Sequence, residues 1–315
     1  MIDKDVVIGI DTSNYTTSLA IITLDGELVA NVKRPLKVKE GERGLRQSDA
    51  VFAHVKNIPD AMSEIRGILG GKRPLAVGVS EKPRNQDGSY MPCFLSGLSA
   101  AESIGATLGI PVYRFSHQCG HIMAALYSSG ADFGDWGEFG AFHISGGTTE
   151  LLRVKPTDTA FSAELVGGTR DLNAGQIIDR VGVFMGLDFP AGPSLERLAK
   201  SCEKIPSYKR PRTDGTYVNL SGLENMAIKQ YKDSADASAT AALVFSYLAD
   251  AIEGMCRAYN SEYGRGPFVF AGGVMCNSII KERLLNSFDA YFAEPALSSD
   301  NAVGIAELTR RNFLK

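Results

Sequence analysis

The chain has 315 residues, of which 44% are hydrophobic and 22% are charged, and its formal net charge is −3. This composition is typical of a globular protein, and the length predicts two lobes because a single hydrophobic core rarely grows beyond about 250–300 residues. A slightly acidic chain has no overall attraction for nucleic acid, so any RNA contact must use a local basic patch or a partner protein. The densest basic cluster is Lys209, Arg210 and Arg212, for which a solvated loop is the simpler interpretation.

The cysteines and the N-terminus indicate the compartment. The five cysteines include no C-x-x-C pair, and their odd number is typical of free thiols in a reducing environment. The first residues lack the apolar segment of a signal peptide, and no run of about 18 apolar residues is present. We therefore expect a cytoplasmic protein with no membrane-spanning helix and no membrane partner.

The first half of the chain predicts a hairpin followed by alternating strands and helices. Val6–Asp11 and Thr17–Thr23 are rich in apolar and β-branched residues and flank a polar turn, so Asp11 lies near the tip of the predicted hairpin. Three further elements, a buried strand, a helix and a short strand, are predicted over 74–80, 95–108 and 111–115.

The second half repeats the hairpin design. Two apolar runs, 141–144 and 150–154, flank the small polar turn Ser145–Thr149, which indicates a duplicated fold. Residues 202–235 are polar and predict an irregular or locally helical insertion. The other predicted elements are four helices and one buried strand: helices over 174–185, 238–259, 277–285 and 301–312, and a strand over 268–271.

Two of the four histidines, His117 and His121, are four residues apart. On a helix this spacing places both imidazoles on one face, with Cβ atoms about 5–6 Å apart, close enough for one metal ion to contact both. The spacing is similar to the H-E-x-x-H motif of zinc proteases, but residue 118 is Gln, and an amide cannot act as the general base of peptide hydrolysis. A second interpretation is two ordinary histidines at the start of a helix.

Glycine-rich turns after strands predict an anion-binding site of an uncommon type. The chain contains neither G-x-x-x-x-G-K-[ST] nor G-x-G-x-x-G, which excludes the P-loop and Rossmann motifs. Backbone N–H groups of the turn Ser145–Thr148, or of the Gly272-Gly273 turn, could instead hold a phosphate. Asp11 could act on a phosphate-bound metal or position water, or it could cap its own turn.

Six motifs, in order along the chain, resemble those of one family. The motifs are Ile8–Ser13, His117-x-x-Gly-His121, Ile144–Thr148, Asn173–Asp179 with Gly186–Pro193, Phe270–Asn277 and Ser299–Ala302. The hairpin and glycine-turn motifs are similar to those of the superfamily of actin, heat-shock chaperones and sugar kinases (ASKHA). The complete set resembles the tRNA threonylcarbamoyladenosine transferase family, once called the glycoprotease family.

The resemblance implies a fold and a domain organisation. The expected fold is the duplicated α/β ASKHA fold, with two lobes and a nucleotide cleft between them. The expected N-terminal lobe is 1–115 completed by 295–315, and the expected second lobe is 116–294, with the insertion at about 202–235.

The resemblance also implies the residues of the site. His117, His121 and Asp300 would hold one divalent metal, iron or zinc, and the alternative for Asp300 is a helix N-cap. Asp11 and Ser145 are the candidate catalytic residues. The expected ligand is an adenine nucleotide or threonylcarbamoyl-adenylate, contacted by Ile144, Ser145, Gly146, Gly147, Thr148, Asp179, Gly192, Gly272, Gly273 and Asn277.

The implied function is transfer of a threonylcarbamoyl group from threonylcarbamoyl-adenylate to an adenosine of tRNA, in a complex with an ASKHA-fold partner and an ATPase partner. The chain departs from the family pattern at four places: Ser13–Thr17, Ser80–Ser89, Cys119 and Thr148-Thr149. These departures leave two alternatives open. One is a divergent paralogue that carbamoylates an acceptor other than tRNA, and the other is a non-catalytic nucleotide-binding partner.

Overall fold

The computed structural model describes residues 5–13, 15–37, 45–131, 133–134 and 136–315. The chain forms two compact units. The first unit comprises Met1–Ala131, Pro156–Ala163 and Ala296–Lys315, and the second comprises Asp132–Lys155 and Glu164–Pro295. Each unit contains one mixed β-sheet.

The first unit is built on a five-stranded sheet in the order β3-β2-β1-β4-β5. Its strands are β1 (Asp5–Ser13), β2 (Thr16–Thr23), β3 (Leu28–Pro35), β4 (Arg73–Lys82) and β5 (Val112–Ser116). Strand β2 runs antiparallel to β1, as the predicted hairpin requires, whereas β4 and β5 continue the sheet in parallel. The apolar run of β1 is buried on both faces, since alternate residues of a strand point to opposite sides.

Helices cover both faces of this sheet. They are α1 (Gln47–Leu69), α2 (Phe94–Leu108), α3 (His117–Ser129) and α9 (Val303–Phe313). On one face Ile8 packs in a cluster with Ile65 of α1 and Ala101 of α2. On the other face Val7 packs with Val303 and Ala306 of α9. The sequence did not predict α1.

The position of α3 corrects the predicted lobe boundary. The sequence placed residues from 116 onward in the second lobe, but α3 lies in the first unit, as do residues 156–163. The physical reason is close packing of α3 against α9, where a Cβ atom added to Gly304 would lie 1.9 Å from the carbonyl oxygen of Gly120. Because Gly304 has no Cβ atom, the backbones of α3 and α9 can come this close, with no side chain between them.

The second unit repeats this strand order. Its sheet is β12-β11-β6-β7-β8-β10-β9, of which β8-β7-β6-β11-β12 matches the order of the first sheet. The strands are β6 (Phe139–Ile144), β7 (Thr149–Pro156), β8 (Phe161–Thr169), β9 (Thr213–Asp214), β10 (Tyr217–Val218), β11 (Phe268–Ala271) and β12 (Ala290–Phe292). The duplication indicated by the two hairpins is therefore present in the topology.

The helices of the second unit are α4 (Ala174–Phe184), α5 (Gly192–Lys200), α6 (Ser221–Ser234), α7 (Ala237–Tyr263) and α8 (Ser278–Ser287). Among the described residues, α7 alone is long and apolar enough to cross a membrane, but 89% of its apolar stretch is buried inside the protein. Val244, Phe245 and Leu248 of α7 are core residues of the unit. The expected insertion at 202–235 contains the β9–β10 hairpin and α6 as well as irregular chain.

Candidate metal centre and nucleotide-binding pocket

The first candidate site lies where the parallel strands of the first unit end. Asp11 is near the end of β1, Ser80 is in β4, and His117 follows β5 directly, so all three lie at the carboxyl edge of the sheet. The Asp11 side chain is fully buried. Its Oδ1 accepts hydrogen bonds from His117 Nδ1 at 2.8 Å and from Ser80 Oγ, and its Oδ2 accepts from the backbone N of Ser13 at 3.3 Å.

The start of α3 fixes the two histidines. Ser116 is the N-cap, and its hydroxyl accepts from the backbone N of Cys119 at 3.2 Å. His117 is the first helical residue and His121 lies one turn later on the same face. Their Nε2 atoms are 2.9 Å apart, and their ring centroids are 4.4 Å apart. The predicted helical pair is therefore present.

Asp300 joins the histidines from the opposite end of the chain. Its Oδ1 lies 3.3 Å from His121 Nε2 and 3.7 Å from His117 Nε2. Asp300 does not cap α9, because the N-cap position is Ala302 and the nearby Oδ1 of Asn301 accepts from the backbone N of Val303 at 2.9 Å. Asp300 is thus free to face the imidazoles.

The three donor atoms fit one metal ion. The three donor atoms lie 2.9, 3.3 and 3.7 Å from one another. The point equidistant from them is about 1.9 Å from each, close to the length of a metal–ligand bond. Donors of a tetrahedral ion bound at about 2.1 Å lie about 3.4 Å apart, which falls inside this range. Two imidazole nitrogens and one carboxylate oxygen suit iron as well as zinc.

The electrostatics of this cluster favour a bound cation. Burial lowers the pKa of His117, but the charges of Asp11 and Asp300 and the hydrogen bond to Asp11 outweigh it and raise that pKa to about 9. Burial raises the pKa of Asp300, yet its hydrogen bond to His121 and the charge of His117 hold it below its usual range. The pKa of Asp11 is lowered in the same way against the effect of burial. The buried carboxylate of Asp11 and the half-buried one of Asp300, beside two imidazoles, therefore attract a positive charge, proton or metal.

Two of the departures from the family pattern, Cys119 and the segment 80–89, lie at the start of α3 or contact it. Cys119 is buried, its Sγ donates to the carbonyl oxygen of Phe161 at 3.4 Å, and burial raises the pKa of its thiol. It therefore acts as a small buried residue here, outside the group of three ligands. The altered segment 80–89 contacts the same helix end, because the carbonyl oxygen of Pro83 accepts from the backbone N of Gln118 at 3.0 Å.

The second candidate site lies at the equivalent strand ends of the second unit. Strand β6 ends at Ile144 and β11 ends at Ala271, and the two strands run in parallel. Gly272 has φ 98°, and a Cβ atom there would lie 2.2 Å from the carbonyl oxygen of Ile144, so only glycine fits between the two strand ends. The turn that follows β6 is closed by a hydrogen bond of 2.8 Å from Ser145 N to the carbonyl oxygen of Thr148.

A cavity of about 340 Å³ opens beside these turns. Five predicted residues line it: Gly146, Asp179, Gly192, Gly273 and Asn277. The other five predicted nucleotide contacts, which are Ile144, Ser145, Gly147, Thr148 and Gly272, are not among its lining residues. This volume lies in the range of small-molecule pockets.

Two of the lining side chains have partly structural roles. Asp179 Oδ1 accepts from the backbone N of Ala191 at 2.9 Å and so fixes the loop before α5. Asn277 Oδ1 accepts from the backbone N of Ile280 at 3.0 Å and caps α8. Within the described ranges its Nδ2 is buried without a partner, which leaves one donor for a ligand.

The sequence did not single out several residues of this cavity: Gly175, Ile178, Pro190, Pro193, Glu196, Phe245, Val274 and Cys276. Glu196 is the charged member. Its Oε1 accepts from the backbone N and the hydroxyl of Ser278, at 3.1 and 2.6 Å, and pairs with Lys200 at 2.8 Å. The sequence predicted no helix over residues 192–200, and only the observed α5 shows that Glu196, four residues after Gly192, lies on the same helix face.

Comparison with known sequences gives one consistent match. A family model described as tRNA N6-adenosine threonylcarbamoyltransferase matches residues 37–307. The enzyme of that name from Methanopyrus kandleri is 27% identical over 310 residues, which cover 96% of this chain and 86% of the relative. The one from Streptococcus suis is 29% identical over 321 residues, which cover 97% and 92%.

Comparison with solved structures concerns the fold. A ROK family glucokinase from Streptomyces griseus aligns with a TM-score of 0.55 at 13% identity, over 97% of this chain and 99% of its own. Component A of the (R)-2-hydroxyglutaryl-CoA dehydratase of Acidaminococcus fermentans aligns with a TM-score of 0.56 at 16% identity, over 98% and 99%. The predicted ASKHA fold is confirmed.

Proposed function

Because the chain belongs to the family of tRNA N6-adenosine threonylcarbamoyltransferases, we propose that it transfers a threonylcarbamoyl group to an adenosine of tRNA. The observation that carries the proposal is the convergence of His117, His121 and Asp300 within 4.8 Å of one another, in a chain that the family model matches over residues 37–307. A transferase of this kind needs an activated donor, a site for its nucleotide and a means of stabilising charge on the transferred group.

We propose threonylcarbamoyl-adenylate as the donor. In the reaction the N6 amine of adenosine attacks the carbamoyl carbon, the bond from that carbon to the phosphate oxygen breaks, AMP leaves, and the amine loses a proton. A divalent ion held by His117, His121 and Asp300 would supply a Lewis acid for this chemistry. The donor set is compatible with iron and with zinc.

The remaining residues bind and orient. Asp11 acts on the site through His117, because a carboxylate that accepts from Nδ1–H leaves the Nε2 lone pair free for an ion. The cavity beside Gly146 and Gly273 is proposed to bind the adenosine of the adenylate, with the Nδ2 of Asn277 as a donor. Ser145 is proposed to contact the phosphate or the transferred group, since its own hydroxyl accepts only from Gly147 N, at 3.3 Å, in the part of the chain that the structure describes.

We propose that the protein works in the cytoplasm with an ASKHA-fold partner and an ATPase partner, as the family resemblance implies. Reconstitution tests the function. The full-length chain, loaded with iron or with zinc, is incubated with these partners, the adenylate and unmodified tRNA, and the nucleosides are analysed by mass spectrometry. We expect threonylcarbamoyladenosine with the wild type and at least a 100-fold lower rate with Asp300→Ala. No transfer by the fully metallated protein would refute the proposal.

A second candidate is transfer of a carbamoyl-type group to another acceptor. It is favoured by the altered segment 80–89, which contacts the start of α3 through Pro83 and Gln118. Complementation separates the two candidates. Rescue of a strain that lacks its own tRNA enzyme excludes this alternative, whereas failure to rescue by a metal-loaded protein supports it.

A third candidate is a non-catalytic nucleotide-binding partner. The retained group of His117, His121 and Asp300 argues against it, since a scaffold has no use for three converging metal donors. Metal analysis of the purified protein separates the two, because a scaffold should bind no stoichiometric iron or zinc.

A further inference from the structure

A basic segment lies between α5 and β9 of the second unit. We call residues 204–212 the basic strap. Its four cations, Lys204, Lys209, Arg210 and Arg212, are all exposed. The strap contains no acidic residue, so it carries a charge of +4 in a chain whose net charge is −3. It is therefore a local exception to the acidic character of the chain.

Among the residues that the structure describes, three of the four cations of the strap have no ion-pair partner. Arg210 Nε lies 3.5 Å from Asp250 Oδ2, and its side chain is still 82% exposed. No acidic group in the described residues lies within ion-pair distance of Lys204, Lys209 or Arg212. Asp250 is in turn held by Arg283 at 2.6 Å, so it has little charge left to neutralise the strap.

The strap is anchored, which distinguishes it from a solvated loop. Tyr208 OH donates to Asp250 Oδ2 at 2.9 Å, and its ring lies 6.0 Å from that of Tyr247 on α7. Burial and the neighbouring Asp250 raise the pKa of Tyr208 to about 12, so the phenol remains a donor. Pro206 and Pro211 restrict the backbone on either side. These contacts hold the backbone of the strap in place, so binding a ligand there costs little backbone conformational entropy.

We infer that the basic strap binds the phosphate backbone of the tRNA substrate. The inference rests on the proposed function, which supplies RNA as the partner. Phosphate groups are contacted mainly by arginine and lysine, and an acidic protein needs a local cluster of these residues to hold a polyanion. An acidic protein partner fits less well, since lysine is depleted in protein interfaces and the strap offers only Ile205 as an exposed large apolar side chain.

Equilibrium binding of unmodified tRNA to the full-length protein, between about 50 and 200 mM salt, tests the inference. The strap variant is Lys209→Ala with Arg212→Ala, neither of which touches Asp250. The matched control is Lys229→Ala with Lys232→Ala, which removes two exposed cations from α6 of the same unit. Circular dichroism and metal content check that both variants fold.

We expect the strap variant to bind tRNA at least about tenfold more weakly at 100 mM salt. Its plot of log K against log salt should be less steep by about 1.4–1.8, the effect of two lost phosphate contacts. The control should match the wild type. Tyr208→Phe, which keeps every cation, should weaken binding a few-fold without changing the slope.

Two results would overturn the inference. One is a strap variant with the affinity and the salt slope of the wild type. The other is a strap variant that binds tRNA normally but fails to bind a partner protein, which would assign the strap to an acidic protein. Failure of the proposed function is distinguishable from both, because in that case the wild type itself neither binds nor modifies tRNA.

Discussion

A single hydrogen bond, 2.8 Å long, connects Asp11 to His117 and decides which imidazole nitrogen faces the other donors. The carboxylate accepts from Nδ1–H, so the Nε2 atom of His117 points toward His121 and Asp300, where its lone pair can hold an ion once its proton is displaced. The sequence suggested a catalytic role for Asp11 because of its position at a hairpin tip. The structure gives it the geometry of a positioning residue.

We predict that Asp11→Asn lowers metal affinity by about 10–100-fold, because the amide no longer stabilises the required tautomer. Competition with a chelator measures the affinity, and the thermal unfolding curve shows whether the variant remains folded. Ser80→Ala is the matched control, since it removes one hydrogen bond to Asp11 and leaves its charge in place. Equal affinities of Asp11→Asn and wild type would contradict the positioning role.

Metal binding should depend on pH through His117. Burial lowers its pKa, but Asp11 and Asp300 raise it to about 9 in the metal-free protein, so the imidazole is protonated at neutral pH. An ion must displace that proton, so affinity should rise about tenfold per pH unit below pH 9 and level off above it. In Asp11→Asn the charge of Asp11 is lost, so burial lowers the pKa of His117 and the metal affinity should level off at a lower pH. Affinity independent of pH between about 6.5 and 8.5 would refute this assignment.

At the scale of elements, the crossing of α3 and α9 brings the three candidate metal donors together. A Cβ atom on Gly304 would lie 1.9 Å from the carbonyl oxygen of Gly120 and 2.7 Å from the backbone N of Ala124. Both are backbone atoms, which cannot move aside as a flexible side chain would. The helices must separate to accept even one methyl group, and Asp300 lies four residues before Gly304.

We therefore predict that Gly304→Ala destabilises the first unit by about 1–3 kcal/mol or more and weakens metal binding as well. Urea unfolding and chelator competition measure the two effects. Gly67→Ala in α1 is the matched control, because a Cβ atom there has no neighbour within 4 Å. The control should be neutral or stabilising by up to about 1 kcal/mol, since alanine favours a helix over glycine. A Gly304→Ala protein with wild-type stability would show that the crossing is not tightly packed.

Local sequence patterns predicted many of the elements, but α1, α5, β3 and β8 were not predicted. The hairpins were predicted from apolar and β-branched runs that flank polar turns, β4 from an apolar run, and α2 and α7 from apolar residues that recur with the period of a helix. Helix α1 buries Ala50, His54, Ala61 and Ile65, whereas its larger apolar residues Phe52 and Val55 are 66% and 57% exposed. Hydrophobicity along the sequence therefore does not indicate its buried face.

At the scale of the whole molecule, the two candidate sites belong to different units, and their ligands should act on different parts of the chain. We predict that a divalent metal slows hydrogen exchange around residues 116–124 and 297–304 of the first unit. An adenine nucleotide should slow exchange around 144–149, 174–179 and 272–278 of the second. Exchange followed by mass spectrometry measures both effects.

Asp300→Ala provides the control for this experiment. It should abolish the protection by metal and leave the protection by nucleotide intact. Protection of the second unit by metal in this variant would show that the ion binds somewhere other than the predicted centre.

The duplicated fold could be predicted from the sequence, but the contacts that depend on tertiary packing could not. Two similar hairpins indicated the repeat, and six ordered motifs indicated the family. The boundary at 115/116 was wrong because α3 is held by a helix from the other end of the chain. Glu196 and the free Nδ2 of Asn277 were missed because their positions in the cavity depend on how α5 and α8 begin.

The positions of the candidate metal donors in the sequence determine when, during synthesis of the chain, an ion can bind. Residues 117 and 121 leave the ribosome early, but the third donor, residue 300, follows about 180 residues later. The three donors cannot converge until α9 has emerged and packed against α3. On the proposed assignment of the ligands, ion loading is a late event in the life of each chain, and a nascent or truncated polypeptide that lacks the last helix would display the two histidines without retaining the ion.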